Sequence, residues 1–162
     1  MKSPGRRSGA FPVLDCEVHI DSDGGLVTGE LMEHLADIPE IVLESEGEEG
    51  WWIISISLTS DANLRQLHAE FLDDDSVTDV MSFMYGESGA GIGTFGEIVI
   101  SVDRAVEQAA DAGWSLQGEL AFLSIHGILH LCGWVDDDEE SRAAMLERQH
   151  EILATMNTDR PT

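Results

Sequence analysis

Four stretches of the chain carry apolar and β-branched residues in the short runs typical of β-strands. Residues 51–59 are the clearest example, because they are apolar along most of their length and are followed at once by helix-capping residues. Gly24 and Gly25 end the first stretch, and a glycine-rich loop at residues 86–93 follows the third. The pattern predicts strands at residues 11–20, 51–59, 77–85 and 95–102.

Between and after these strands, apolar residues recur every three or four positions, which indicates helices that bury one face. N-cap residues precede three of the helices, and they are Ser60 or Asp61, Asp103 and Ser115. Gly113 and Gly133 are placed to end two helices, and Pro39 is expected to end or interrupt the first. We predict helices at residues 26–37, 61–72, 103–112, 116–132 and about 137–156, with an acidic loop at 44–50 and a turn at 73–76.

The predicted helix at residues 116–132 is apolar nearly all round, so we expect it to be buried at the centre of the fold. Because helices and strands follow one another in mixed order, we predict an α+β fold. It is a single domain with a roughly four-stranded mixed sheet packed with about five helices. The domain is predicted to span residues 11–156, between a flexible basic arm at residues 1–10 and a frayed tail at residues 157–162.

The length of 162 residues and a hydrophobic content of 43% predict one globular domain with a sizeable core. No apolar run approaches the roughly 20 residues that span a bilayer. No apolar stretch of the signal-peptide type follows the N-terminal arginines. We therefore expect a cytoplasmic protein with no membrane partner. Cys16 and Cys132 lie far apart in the sequence and are expected to be reduced.

The charge of the chain is strongly acidic, with 32 acidic residues against 8 basic ones, a net charge of −24, and Lys2 as its single lysine. Such a surface repels nucleic acid at low salt. Either the protein does not bind nucleic acid, or it works in concentrated salt, where the Debye length falls to about 3 Å at 1 M. We favour the second interpretation, because an acidic and lysine-poor surface is typical of halophile proteins.

His126 and His130 stand four residues apart on the predicted central helix, so their rings share one face. Imidazole is a good ligand for zinc and similar metals, and two histidines on a buried stripe need polar partners. We therefore predict a metal site on this helix. Gly127 occupies the position of the catalytic glutamate in His-Glu-x-x-His proteases, which argues against that chemistry. Its missing side chain allows the close approach of either a ligand or the sheet.

Asp136 is the predicted third ligand of the metal site. The helix is expected to end at Gly133, after which the chain can turn and bring this carboxylate back to the ion. Alternatively Asp136 caps the last helix, although the two aspartates that follow it serve equally well. His150 is a weaker candidate ligand. Cys132 is a poor one, because it points away from the helix face of His130.

Three segments of the chain resemble the signature motifs of the YbeY family. HGILHLCGWVD at residues 126–136 is similar to that family's HGxLHLxGYDH, TDVMSF at 78–83 to TDVLSF, and GEIVIS at 96–101 to GDIxIS. The order and spacing of the motifs also agree, and the resemblance covers roughly residues 51–152. Three ordered motifs are far more specific than the histidine pair alone.

The resemblance implies an α+β metalloprotein that holds one Zn2+ ion with three side chains, here His126, His130 and Asp136. It also implies a single-strand-specific endoribonuclease that acts in rRNA maturation and ribosome quality control, in the cytoplasm near the small ribosomal subunit. Residues Thr78, Asp79 and Ser82 would line the groove for single-stranded rRNA. Alternatively these three residues make turn and strand-edge hydrogen bonds.

The sequence departs from the family pattern at two positions. Asp136 stands in place of a third histidine, which adds a negative charge to a site for phosphate and admits other divalent metals more readily. Leu72 follows the aromatic Phe71 where the family has an arginine, and a leucine cannot stabilise phosphate charge. Arg65, seven residues earlier, is an alternative cation. The departures leave two rival functions open, a metal-dependent hydrolase of another substrate and a non-catalytic ribosome-assembly factor.

Overall fold

Four strands form one sheet in the computed structural model, which describes residues 13–23, 27–72, 79–85 and 93–156. They are β1 (Leu14–Ser22), β2 (Gly50–Thr59), β3 (Val80–Met84) and β4 (Thr94–Ser101). Their spatial order is β1-β2-β4-β3. β1, β2 and β4 run parallel, whereas β3 pairs antiparallel with β4 at the edge. The predicted four-stranded mixed sheet is therefore confirmed.

Six helices accompany the sheet in these residues. They are α1 (Gly29–Leu35), α2 (Ile38–Ser45), α3 (Asp61–Leu72), α4 (Val102–Ala112), α5 (Leu116–Leu131) and α6 (Glu139–Ala154). α5 occupies the centre as predicted, because it packs against the sheet and against α2, α4 and α6. Its side chains include several that are fully buried, namely Leu120, Ile125, Ile128 and Leu129. The α+β class is confirmed, and none of these helices is long and apolar enough to cross a membrane.

Two glycines allow α5 to lie close to the sheet. A Cβ atom on Gly127 would stand 2.8 Å from the Ile98 side chain on β4, and one on Gly96 would stand 2.5 Å from the Leu131 side chain on α5. Both distances are shorter than carbon–carbon contact permits. Of the two interpretations of Gly127, the structure therefore supports a helix–sheet contact.

α3 packs on the opposite face of the sheet from α5. Leu64 of α3 is fully buried and clusters with Met81 and Val99. Val99 follows Ile98, which contacts α5, and successive strand residues point to opposite faces. The sheet thus lies between α3 and α5, although α3 also contacts α4.

The sequence prediction was wrong at two helix boundaries. The helical stretch is interrupted before Pro39, one of the two predicted outcomes, but the proline does not end it: Pro39 lies in the first turn of α2, where proline has no hydrogen bond to lose. α2 itself was not predicted, and it includes the first two residues of the predicted acidic loop. Asp103 does not cap α4, because the Ser101 side chain accepts the hydrogen bond from the Arg104 N–H. The Asp103 carboxylate instead accepts from the Asp61 N–H, at the start of α3, at 2.8 Å.

Several predicted segments lie outside the described residues. They are the basic arm at 1–10, the turn at 73–76, most of the glycine-rich loop at 86–93 and the tail at 157–162.

Candidate metal centre

The last two turns of α5 bring two imidazole rings together. His126 and His130 are four residues apart, and their ring centroids are separated by 4.6 Å. Their Nε2 atoms are 3.1 Å apart. Both side chains are partly exposed, at 22% and 28%, although the helix that carries them is central and buried. The pair therefore stands where a buried helix reaches the surface.

A tight turn after α5 returns the chain to this pair. Gly133 has a φ angle of 103°, in the left-handed region that favours glycine. The Asp136 Oδ2 atom then lies 3.5 Å from His126 Nε2 and 3.4 Å from His130 Nε2. Asp136 is not the cap of α6, because Asp138 fills that role in a reciprocal pair of hydrogen bonds with Ser141.

Hydrogen bonds on the far side of each ring fix the nitrogen that faces the site. His126 Nδ1 is 3.0 Å from Gln149 Oε1, and the Gln149 Nε2 donates to the Phe122 carbonyl, which sets the orientation of the amide. His130 Nδ1 is 2.9 Å from the Trp134 carbonyl oxygen. Because both Nδ1 atoms face oxygen acceptors, we infer that they carry the hydrogen, so both Nε2 atoms present lone pairs to a common point.

The donor set fits a tetrahedral metal ion. Ligands at 2.0–2.1 Å from a tetrahedral ion stand about 3.3 Å from one another. The three separations among the two Nε2 atoms and the carboxylate oxygen are 3.1, 3.4 and 3.5 Å. Two lone pairs and a carboxylate repel one another at these distances, and a divalent cation reverses that repulsion. His126, His130 and Asp136 form the group in the described residues that could hold such an ion.

Burial favours the neutral form of His126, one of the candidate ligands. Desolvation, and to a smaller extent His130, lower the pKa of His126, while the hydrogen bond that His126 donates to Gln149 and the charges of Asp136 and Asp79 oppose that effect. A neutral imidazole is the form that binds a metal. His126 is therefore ready to coordinate at neutral pH without first losing a proton.

The three residues open onto a cavity of about 550 Å³ between α4, α5, α6 and the start of β3. Asp79 lies on its wall, where the carboxylate accepts a hydrogen bond from Gln108 at 3.0 Å. Glu119 also lines it, and its carboxylate accepts from the Trp114 indole N–H at 2.7 Å. Burial raises the pKa of Glu119, which is only 5% exposed.

Unlike Asp79, the other two predicted groove residues are not among the described residues that line the cavity. Ser82 donates a hydrogen bond from Oγ to the Gly127 carbonyl at 3.0 Å, which links β3 to α5. Thr78 lies outside the described residues. Arg65, the alternative cation, lies on α3 beyond the sheet and pairs with Asp61 at 3.8 Å.

The two weaker candidate ligands lie apart from the group. The His150 ring packs on Phe122, with 5.0 Å between ring centroids. Cys132 is partly buried, and burial raises the pKa of its thiol to about 12, so it is not a thiolate at neutral pH. Neither residue belongs to the group of described residues that could hold a metal ion.

Sequence reasoning missed two residues of this site, Gln149 and Glu119. Glu119 lies seven residues, or two helical turns, before His126, and it is the single acidic residue of an apolar helix. That isolation was a usable signal. Gln149 lies 23 residues from His126 on another helix, and no spacing rule connects the two.

Comparisons with known proteins find relatives in one family and a solved structure of the same fold. The family model for "Endoribonuclease YbeY" matches residues 20–157. A Synechococcus endoribonuclease YbeY is 43% identical over 114 residues, which cover 65% of this chain and 70% of the relative. The Moorella thermoacetica protein of that name is 35% identical over 150 residues, covering 87% and 96%. A solution structure from Thermotoga maritima shares the fold, with a TM-score of 0.52 at 21% identity, covering 86% and 89%.

Proposed function

The chain belongs to the endoribonuclease YbeY family, and on that premise we propose that it is a metal-dependent endoribonuclease. Its substrate is single-stranded rRNA, cleaved during rRNA maturation and ribosome quality control, at the small ribosomal subunit in the cytoplasm. The observation that carries the proposal is the convergence of two histidine nitrogens and a carboxylate oxygen at the mouth of a cavity. Three protein ligands leave a fourth position for water or substrate, which is typical of catalytic rather than structural zinc sites.

We propose Zn2+ as the ion held by His126, His130 and Asp136. When bound, it would polarise a phosphate oxygen or lower the pKa of a water molecule. Gln149 and the Trp134 carbonyl hold the two rings in the tautomer that this requires. Asp79, kept in place by Gln108, lies on the wall along which the RNA strand would pass. Its role there is to orient polar groups of the substrate.

The proposal is tested by cleavage of a labelled single-stranded RNA in low and in molar KCl, with and without a chelator. We expect cleavage that the chelator abolishes and that added zinc restores, and we expect His126→Ala to remove it. Arg65→Gln is a matched control that leaves the site intact. Cleavage that is absent at every salt concentration, or that survives in His126→Ala, would contradict the proposal.

A metal-dependent hydrolase of another substrate is the second candidate. It is favoured by the carboxyl groups of Asp79, Glu119 and Asp136 around one cavity, which oppose the approach of a phosphate. A zinc-loaded protein that leaves RNA intact but hydrolyses a neutral ester or amide would support it. Co-sedimentation of a His130→Ala variant with small ribosomal subunits, without any RNA cleavage by the wild type, would instead support an assembly factor.

A further inference from the structure

The wall of the metal-site cavity carries several acidic side chains, which oppose the binding of a phosphodiester. Asp79, Glu119 and Asp136 all line it, and the whole chain carries a net charge of −24. As a ligand, Asp136 would cancel one of the two charges of a divalent ion, and Asp79 and Glu119 oppose the remaining one. A bound phosphate group therefore needs a further cation within hydrogen-bonding reach.

Among the described residues that line this cavity, Arg142 is the basic residue besides the two histidines. It lies on α6, seven residues before Gln149, which contacts His126. Seven residues are two helical turns, so the two side chains share one face of α6, about 10 Å apart along its axis. Met145, between them, also lines the cavity. The guanidinium thus belongs to the same wall as the metal ligands.

The other arginines in the described part of the chain have acidic partners. Arg148 binds Glu46 at 2.8 Å and Glu151 at 3.0 Å. Arg65 and Arg104 each lie within 4.0 Å of a carboxylate on their own helix. No ion pair at such a distance engages Arg142 among the described residues. Its charge adds to the effect of the Ser141 hydrogen bonds, which hold the pKa of Asp138 below its usual range.

We propose that Arg142 binds the phosphate group of the substrate at the metal site. The inference rests on the proposed function, since it assigns the cation that a phosphodiester needs there. A guanidinium can donate two parallel hydrogen bonds to two phosphate oxygens, which a lysine ammonium cannot reproduce. Because the arginine is exposed at the rim, its charge remains available to an incoming strand.

The test compares Arg142→Gln, Arg142→Lys and the control Arg65→Gln as zinc-loaded full-length proteins. Cleavage of single-stranded RNA gives kcat/KM, and calorimetry gives the affinity for inorganic phosphate. For Arg142→Gln we expect about a tenfold to hundredfold loss of both quantities, the scale of a hydrogen bond to a charged group. Arg142→Lys should recover part of the loss, and Arg65→Gln should resemble the wild type. Zinc content and the thermal midpoint should stay unchanged in all three.

Each outcome decides one question. If the wild type cleaves RNA and Arg142→Gln cleaves it equally well, the assignment of Arg142 is overturned while the proposed function stands. If the wild type cleaves no RNA, the proposed function fails, and phosphate affinity then decides the assignment. Equal phosphate affinity of the wild type and Arg142→Gln overturns the assignment, and weaker binding by the variant supports it.

Discussion

At the scale of single residues, the orientation of the candidate ligands and the charge of the site depend on side chains that would not touch a bound ion. Gln149 is 3% exposed and accepts from His126 Nδ1, while its own amide nitrogen donates to the Phe122 carbonyl. It therefore selects both the tautomer and the angle of the His126 ring. Glu119 depends on one neighbour in a similar way, because the Trp114 indole satisfies its carboxylate in a buried position.

We predict that Gln149→Leu lowers the affinity for zinc about 10- to 100-fold, because His126 loses the acceptor that fixes its ring. Competition with a chromophoric chelator measures the affinity. The matched control is Gln117→Leu at the other end of α5. It removes a contact with His34 of α1 and should bind zinc like the wild type. Unchanged affinity in Gln149→Leu would show that the His126 ring is held without this hydrogen bond.

We predict that Glu119→Gln stabilises the metal-free protein at pH 7. Burial raises the folded-state pKa of Glu119 above its usual 4.5, so the folded state prefers the protonated acid. That preference stabilises the fold below pH 4.5 and is lost as the pH rises through the folded pKa. Glutamine keeps the acceptor for Trp114 without the charge. Each kcal/mol recovered raises the thermal midpoint by roughly 2–4 °C.

The pH profile provides the control for this prediction. The gain from Glu119→Gln should shrink as the pH falls towards 4.5, because the buried wild-type carboxyl then takes up a proton and the folded state no longer holds its charge. Thermal midpoints of both proteins across pH 4.5–8 measure it. A difference between the two midpoints that stays constant over this range would contradict the electrostatic explanation.

At the scale of elements, the meeting of α5 with β4 sets the position of the histidines. The backbone of Gly127, immediately after His126, can approach Ile98 only because the glycine has no side chain. The hydrogen bond from Ser82 to the Gly127 carbonyl fixes the same point from β3. The helix that carries His126 and His130 therefore contacts the sheet most closely at the residue next to His126.

We predict that Gly127→Ala destabilises the protein by about 1–3 kcal/mol, the usual effect of overpacking, although alanine is the better helix former. Denaturant unfolding measures the change in the free energy of unfolding. The matched control is Gly29→Ala in α1, where a Cβ atom meets nothing within 4 Å. If Gly127→Ala were as stable as the control, the close contact with Ile98 would not limit the packing of α5.

Most elements could be predicted because each is determined by its own residues. β2 alternates along its length, and α5 has Ser115 at its start and a glycine after its end. α2 was not predicted because a proline can mark either the end of one helix or the start of the next, and Pro39 was assigned to an end. The cap of α4 was missed because Asp103 has the chemistry of a cap but is used by α3. Such choices depend on a neighbouring element, which the local sequence does not record.

In the site too, residues close together in the sequence could be predicted, whereas residues brought in by another helix could not. His126, His130 and Asp136 could be predicted from the spacing in one segment, and the structure brings all three together. Gln149 and Arg142 could not be assigned, because their place in the site depends on how α6 packs across α5. Asp79 was predicted from the resemblance to known motifs rather than from any local pattern.

At the scale of the whole molecule, net charge is the dominant property. With 32 acidic and 8 basic residues, the folded chain holds many carboxylates closer together than the unfolded chain does. This repulsion destabilises the folded state more than the unfolded state. Salt screens the repulsion and so favours the folded state. We therefore propose that the protein is adapted to concentrated salt.

We predict that the thermal midpoint rises between 0.1 M and about 2 M KCl, by several degrees, as the Debye length falls below about 3 Å. Scanning calorimetry over a KCl series measures it. KCl is preferred to sulfate, because sulfate strengthens apolar burial in any protein. A midpoint that stays constant or falls over this range would contradict adaptation to salt.

The turn at Gly133 has a consequence for metal binding by a partly folded chain. It confines the three predicted ligands to eleven consecutive residues, 126–136, so little chain entropy is lost when they come together. The three side chains therefore need only the end of α5 and the turn after it to converge, whereas full metal affinity also needs Gln149 of α6, and the cavity needs α4, α6 and β3. We expect a partly unfolded chain to retain metal after it has lost the surface for substrate, so metal content alone does not report a native molecule.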